Sequence, residues 1–487
     1  MTKTMKILSL IAAMLVVCSS GYAAEPFFTR YDIRTIGPSF YVTNEDYNED
    51  GYLDMAISSS SNNSYYLSFF WGDGTGLFPN RYDRYHDGLR PNAIGSGDFD
   101  RDNNLDLAVA NTFEHTLGVY LGNGDGQFNT YNVTPSGDFP THLAVDRLND
   151  DPFEDVLVTS WAHGKVYVFL GLGDGFFEFT DEYDVGGGTN IVNTADFFED
   201  GIPDFAVSNM AYNDVLVMFG AGDGTFYGAK SIDVGYDVFA LATTDLNNDE
   251  HVDIVCGTKH TLVTILGDGV GGFTIHYNNS YESPGVRYIE ALDVDSDGNM
   301  DIAATFLENN RIRIYKGDGT GDFISHRVVN SIRSPLSLTS GDFNNDGHPD
   351  LAVASDRSDS LTVLLNQWSV TTIDLAPPDD PDVEQGSDLS FSVAATNTQD
   401  TTVTIDLWLT AERNNGREII IPSSLISGPD NPLEITLDPD QVKEFDYTIH
   451  IPWAVAAGYY RMNVRSGYFS QDLMDERSFE GDVLERR

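Results

Sequence analysis

An all-β chain is predicted, a seven-bladed propeller followed by a small β-sandwich, and three observations predict it. Nine-residue acidic loops recur seven times with a period near 49 residues. Each loop leads into short apolar strands and, in six copies, a glycine-rich turn. After Gln367 the repeat stops, and strands of simple alternating pattern take over.

The loop is clearest in DVDSDGNMD, where Asp293, Asp295 and Asp297 alternate, Gly298 follows and Asp301 closes the segment. Alternating carboxylates before a glycine can fold back on themselves. The oxygens of Asp293, Asp295 and Asp297, the carbonyl of Asn299 and both oxygens of Asp301 would then converge on one hard cation, at about 2.3–2.6 Å. Aligned on the first position, the copies start at Asp46, Asp98, Arg147, Asp196, Asp245, Asp293 and Asp342, in steps of 52, 49, 49, 49, 48 and 49. A unit of that length with several short apolar runs suits a four-stranded propeller blade.

Within each unit the loop is followed by a strand such as LDMAIS, LDLAVA or PDLAVA, and then by a second, such as TLGVYLG, KVYVFLG or RIRIYKG. Six copies continue into G-x-G-x-G-x-F, as in the turns ending at Phe78, Phe128 and Phe323. Alternate glycines permit positive φ in a tight turn, and the phenylalanine anchors the next strand. The spacing differs from the phosphate-binding G-x-G-x-x-G, and no helix follows. The seventh copy ends at Gln367 without a turn or an outer strand. Internal turn phenylalanines lie 19 or 20 residues before the next loop, and Phe27 lies 19 before Asp46. Residues 27–34 (FFTRYDIR) are therefore expected to pair with blade seven and close the ring, removing open edges.

Residues 1–23 read as an export signal: Lys3 and Lys6, an apolar run from Ile7 to Val17, then Gly21 and Ala23. The run is too short for a membrane span. A lipoprotein signal through Cys18 would need a small residue where Val17 stands. The expected location is secreted, periplasmic or cell-surface. Cys256 is then the only thiol of the mature chain, so no internal disulfide can form. A formal charge of −49 repels nucleic acid and anionic membranes, while 41% hydrophobic and 12% aromatic residues are ample for a core. The expected domains are 24–367 for the propeller and 368–487 for the sandwich, with APPDDPD (Ala376 to Asp382) near their boundary.

Seven loops in register, with their strands and G-x-G-x-G-x-F turns, resemble the FG-GAP/VCBS repeat of integrin alpha chains and secreted bacterial proteins. The resemblance covers residues 27 to 367. It implies a seven-bladed propeller with calcium in the loops between the first and second strands of several blades. The C-terminal part looks like the immunoglobulin-type sandwiches appended to such propellers. Carried over by copy, Asp46, Asn48, Asp50 and Asp54 match the calcium pattern, as do Asp293, Asp295, Asp297 and Asp301, and Asp342, Asn344, Asp346 and Asp350. The seventh-position carbonyls belong to Tyr52, Asn299 and His348. Asp98, Asp100, Asp102 and Asp106 keep every carboxylate but put Asn103 in place of glycine, and Asp245, Asn247, Asp249 and Asp253 put Glu250 there. Copy three has Arg147 and Pro152, and copy four has Phe198 at a ligand position, so neither is expected to hold metal. Four or five calcium ions follow. An EF-hand is excluded because position twelve of these copies holds Ile57, Ala304 or Val353, inside strands.

No H-E-x-x-H, G-x-S-x-G or P-loop pattern occurs among the scattered histidines. The expected function is a secreted binding or adhesion module for a glycan or an extracellular protein. A polysaccharide-acting lyase or hydrolase, whose site needs only a few polar groups brought together, and a structural envelope component are the alternatives. In an antiparallel blade the first-to-second and third-to-fourth connections share one face. The second-to-third hairpins, which vary in length, occupy the other. Binding residues concentrate in variable loops on a rigid scaffold, which nominates Phe113, His115, Trp161, His163, Tyr212, His260 and Arg357.

Overall fold

The computed structural model describes residues 28–86, 90–277, 285–330 and 332–366, and ten strands between Thr371 and Leu484. The expected export signal and Phe27 lie outside the described residues. No helix among the described residues is long and apolar enough to cross a membrane.

Six repeats lay down four short strands that pair antiparallel in chain order and the seventh lays down three, and the unit Phe28–Asn366 holds seven four-stranded sheets. Blade one, from inside to outside, is Ser39–Glu45, Asp54–Ser61, Ser64–Trp71 and Asn80–His86. Innermost strands of consecutive blades touch one another, and that of blade seven, Pro335–Gly341, touches that of blade one. The second strand of each blade is apolar without alternation because both of its faces are covered, as in Asp106–Asn111 and Asp350–Ser355, buried along their whole length. Successive residues serve opposite neighbours. Met55 and Ile57 pack against blade seven, whereas Ala56 between them packs against blade two. Seven such clusters fill the seven clefts between blades.

The outer place of blade seven is taken by Phe28–Arg34, paired antiparallel with Ser360–Asn366. Phe28, opposite Asn366, occupies the position that Phe128 and Phe177 hold opposite Gly122 and Gly171. It is buried against Val294 of blade six. The anchor is thus Phe28, one residue beyond the one the spacing nominates. Phe28 lies 18 residues before Asp46, one fewer than the shortest internal spacing.

Asn366 also substitutes for a missing turn. In blades one, three, four and six the third turn glycine reaches the preceding blade, donating its N–H to the second loop residue: Gly76 to Phe343, Gly175 to Phe99, Gly224 to Leu148 and Gly321 to Leu246, at 2.9–3.1 Å. Blade seven has no such turn. There the Asn366 amide Nδ2 donates to the Val294 carbonyl at 2.7 Å and to Pro349 at 3.2 Å.

At the centre, side chains from three non-adjacent blades meet. The Tyr41 hydroxyl lies 3.1 Å from that of Tyr288 and 3.3 Å from His142 Nε2. Burial raises the Tyr41 hydroxyl to about 12 and lowers His142 to about 4, so the cluster is neutral across the physiological range.

The second unit holds two sheets. One orders Thr371–Ala376, Asp388–Asn397, Val442–His450 and Ile426–Ser427. The other orders Val383–Glu384, Asp472–Leu484, Gly458–Tyr468, Val403–Arg413 and Arg417–Ile420, with Leu433–Leu437 on Val403–Arg413.

Asn366→Ala removes the donor from two buried carbonyls and is predicted to cost about 1–3 kcal/mol. Chemical denaturation should show this as a lower midpoint with an unchanged slope. A variant as stable as the wild type would show that the amide is not the substitute for the turn.

Candidate metal loops and the opposite face

The acidic loops start where the innermost strand ends, and each is wound by its own side chains. In loop one Asp46 Oδ1 accepts the N–H of Asp50 at 3.1 Å and Oδ2 that of Gly51 at 2.8 Å, while Asp50 Oδ1 accepts the N–H of Tyr52 at 3.0 Å. In loops two, four, five, six and seven the fifth and sixth N–H groups likewise donate to the first aspartate. The sixth residue has positive φ in all of these, including Asn103 (68°) and Glu250 (70°), the two departures from glycine. The fourth residue is also left-handed, although it is never glycine: Glu49, Arg101, Glu199, Asn248, Ser296 and Asn345. Loop four folds this way despite Phe198, whose ring packs edge-on against Phe219 at 4.4 Å. The winding therefore does not require a full ligand set.

The closing aspartate has a role in all seven blades that does not depend on metal. Asp54 Oδ2 accepts the N–H of Tyr47 at 3.1 Å, and its Oδ1 accepts that of Gly72 at 2.8 Å, at the far end of the third strand. Asp106, Asp155, Asp204, Asp253, Asp301 and Asp350 make the same two bonds. Gly72 is needed because a Cβ there would lie 2.2 Å from the Leu53 carbonyl oxygen. Burial pushes these carboxyls up, against the pull of the N–H bonds. Asp155, Asp204 and Asp253 reach about 6, Asp54, Asp106 and Asp301 about 7, and Asp350 about 8.

Among the described residues, two loops bring three carboxylates close enough to share one ion: Asp98, Asp100 and Asp106, and Asp293, Asp295 and Asp297, with ligand atoms within 4.8 Å of one another. Asp295 is buried, and its Oδ1 has no hydrogen-bond partner, as expected of an oxygen that faces a cation. These sets fit calcium by their chemistry, hard oxygens only. Loop six has a further feature: the Lys316 ammonium, from the end of the third strand, contacts Asp295 Oδ2 and lies 3.0 Å from Asp297 Oδ2. A calcium ion there would share these oxygens with an internal cation. The other blades have Trp71, Leu121, Leu170, Phe219, Leu266 and Leu365 at this position.

Neighbouring loops are tied to each other by their fourth and seventh residues. Glu199 pairs with His251, Asn248 Nδ2 donates to Asn299 Oδ1 at 2.8 Å, Ser296 meets His348 Nδ1 at 3.1 Å, and the Arg101 guanidinium lies 5.4 Å from the Phe153 ring centre. The side chains of Asn299 and His348, nominated for their carbonyls, thus also join loops.

On the opposite face the nominated residues separate into groups. His115 and His163 converge on Asp138, with His163 Nε2 at 3.1 Å and His115 Nδ1 at 3.8 Å. Phe139 packs on the His115 ring at 4.8 Å. Trp161, in the hairpin that carries His163, is exposed. His163 and Tyr212 line one cavity between blades three and four. Phe113 stacks beneath the Arg90 guanidinium at 5.1 Å, and His260 against Tyr236 at 5.3 Å. Arg357, in blade seven, lies 3.7 Å from Asp356 and joins none of these groups. Asp138, Phe139 and Tyr236 sit in the links between blades, from which no residue was nominated. Asp138 follows a glycine that must adopt positive φ, Gly137, a local signal that could have marked it.

Asp204→Ala is predicted to destabilise the propeller by at least about 2 kcal/mol, with or without chelator. Two buried N–H groups lose their acceptor, at roughly 1–3 kcal/mol each. Denaturation in calcium and in chelator checks this, and a cost confined to the calcium condition would oppose it.

The seven raised carboxyls set the sign of the pH dependence. Their folded values lie above the ordinary 3.8, so without metal the stability they contribute is fully present below about pH 4 and is lost as pH rises through 6 to 8. Calcium requires the ionised form. Chelation is therefore predicted to lower the melting temperature more at pH 8 than at pH 5.5, and an equal shift at both would count against metal in these loops.

The FG-GAP-like repeat matches five stretches, residues 46–109, 147–207, 196–256, 245–304 and 293–353, which together make up more than half of the chain. No curated protein matches the sequence. Among solved structures, the ASH / PapD-like domain of human CEP192 is 14% identical over 25% of this chain and 89% of its own, with a TM-score of 0.18. A β-glucosidase from Listeria innocua is 12% identical over 24% of this chain and 16% of its own, with a TM-score of 0.19. A family 123 glycoside hydrolase from Clostridium perfringens is 11% identical over 24% and 28%, also with a TM-score of 0.19. Likenesses this slight carry no argument about what the chain does. With the repeat matched over more than half of its length and seven blades built from it, the chain belongs to the FG-GAP-like repeat family.

Proposed function

We propose that this chain is an exported, calcium-stabilised binding module that recognises a glycan or a surface protein through the face opposite its acidic loops. Phe28–Arg34 acts as the strand that closes the ring, and the two C-terminal sheets as a small immunoglobulin-like sandwich carried by it. Calcium is assigned to loops one, two, six and seven, with loop five as a fifth candidate. The carboxylate clusters of loops two and six support this. When bound, the ion would offset repulsion of roughly 1–4 kcal/mol per carboxylate pair near a protein surface.

The observation that carries the binding role is the row of exposed aromatic side chains along blades two to five: Phe113, Phe139, Trp161, Tyr212 and Tyr236, all on the hairpins and links of one face. Exposed rings beside His115, His163 and Asp138 suit a ligand with an apolar face and polar edges. A sugar ring has both.

A glycan array in the presence of calcium, probed with the wild type and with a Trp161→Ala, Tyr212→Ala double variant, tests the reading. Binding by the wild type and a loss of about tenfold or more in the double variant is the expected result, since aromatic anchors dominate such surfaces. Equal binding by both proteins would move the site off this face, and no binding to any glycan would remove the glycan half of the proposal.

A further inference from the structure

The cavity between blades three and four has a chemistry that narrows its ligand. It is open, about 430 Å³, and lined by His163, Gly164, Asp184, Gly187, Tyr212 and Asp214 among others. Glycine makes it hollow: a Cβ on Gly187 would meet only the Ala211 Cβ, at 3.5 Å. Gly186, at φ 96°, lets the backbone pass under the Tyr212 ring, where a Cβ would lie 2.6 Å from Cδ2. The ring itself is 68% exposed.

Asp214, the first residue of its strand, is only 8% exposed. Its Oδ2 accepts the Ser231 hydroxyl, while Oδ1 is buried, has no partner and belongs to a residue that lines the cavity. A buried carboxylate oxygen without a donor is costly, and a donor on a ligand would remove that cost. Groups of the same sign surround it. Asp233 stands opposite Asp214 in the sheet, Asp184 lines the cavity, and Asp138 holds His163 at 3.1 Å. The nearby cation is Lys165, which contacts Glu182 and lies 3.7 Å from Asp184. The cavity thus offers acceptors, negative charge and one aromatic face.

We propose that it binds an amino sugar in its ammonium form, with the sugar's apolar face on Tyr212 and the ammonium donating to Asp214 Oδ1. This deepens the glycan reading above and rests on it. Neutral sugars would supply hydroxyl donors but no charge to match the carboxylates.

The test titrates glucosamine, N-acetylglucosamine and Nα-acetyl-lysine amide into the calcium-loaded chain and into two variants. Asp214→Asn keeps the shape and the Ser231 contact but removes the charge, and Gly187→Leu fills the hollow from a position with room for a Cβ. Glucosamine should bind the wild type, with N-acetylglucosamine about tenfold weaker or worse, Asp214→Asn weakened by a similar factor, and Gly187→Leu silent. Melting curves report whether each variant folds; if Asp214→Asn does not, Gly187→Leu decides. Equal binding of the acetylated sugar, or wild-type affinity in Asp214→Asn, overturns the proposal. Binding of the lysine amide without glucosamine also overturns it, in favour of a basic protein segment. Neutral glycans bound on the array with Asp214→Asn unaffected would overturn this inference and leave the glycan reading standing, whereas silence on the array and with glucosamine would overturn both.

Discussion

One buried carboxylate per blade, with both oxygens occupied by backbone N–H groups, ties together three parts of the same blade. Asp54 joins the start of the acidic loop at Tyr47 to the end of the third strand at Gly72, and the equivalent pair recurs in every blade. The carboxylate sits at the first residue of a strand whose two faces are covered by neighbouring blades, so water cannot replace these bonds. Its position sets the loop's length at nine residues, and six blades place a glycine at the strand end, where in blade one a side chain would strike the Leu53 carbonyl, while blade seven has Asn366. This explains why loops three and four keep their closing aspartates, Asp155 and Asp204, although their ligand sets are incomplete. The motif that looks like a metal site is first a folding device, whose backbone bonds are made without an ion.

The second level of organisation is the bond between blades. The second loop residue, held by the closing aspartate, turns its side chain to the cleft, and at Phe99, Leu148, Leu246 and Phe343 it presents its carbonyl to the turn of the next blade. Tyr47, Phe99, Leu148, Phe197, Leu246, Val294 and Phe343 all take this place, and all are buried. Asn366 preserves the bond where the ring has no turn to offer. The chemically varied links between loops, an ion pair at Glu199 and His251 and amides at Asn248 and Asn299, lie on the same face. That face is spent on holding the ring together, and loop length there is constant for that reason. The other face is free of these duties. Its hairpins can differ in length and composition, and aromatic side chains stand exposed on it.

The period, the nine-residue loops and the glycine turns were legible in the sequence because each depends on residues within one blade. Blade number followed from counting, and the pairing of the N-terminal segment from a missing strand. The spacing pointed to Phe27 and not to Phe28, because the anchor's 18 residues before Asp46 fall outside the internal spacings of 19 and 20. The two faces were also legible, because an antiparallel meander places alternate connections on alternate sides.

What the tertiary structure alone decided are contacts between side chains, within a blade or across its boundary, that sequence separation does not signal. Lys316 enters the loop that begins 23 residues before it, and nothing in RIRIYKG marks that ammonium as different from an exposed one. Asp138 gathers His115 and His163 from two hairpins. Asp214 reads as an ordinary strand-start residue until a cleft between two blades is seen to leave its Oδ1 without a donor. Local spacing determines which strands form and where the acidic loops wind, because those bonds close within one blade. Which polar groups end up paired, shared or unmet depends on how strands and blades pack together, and so only the assembled ring decides it.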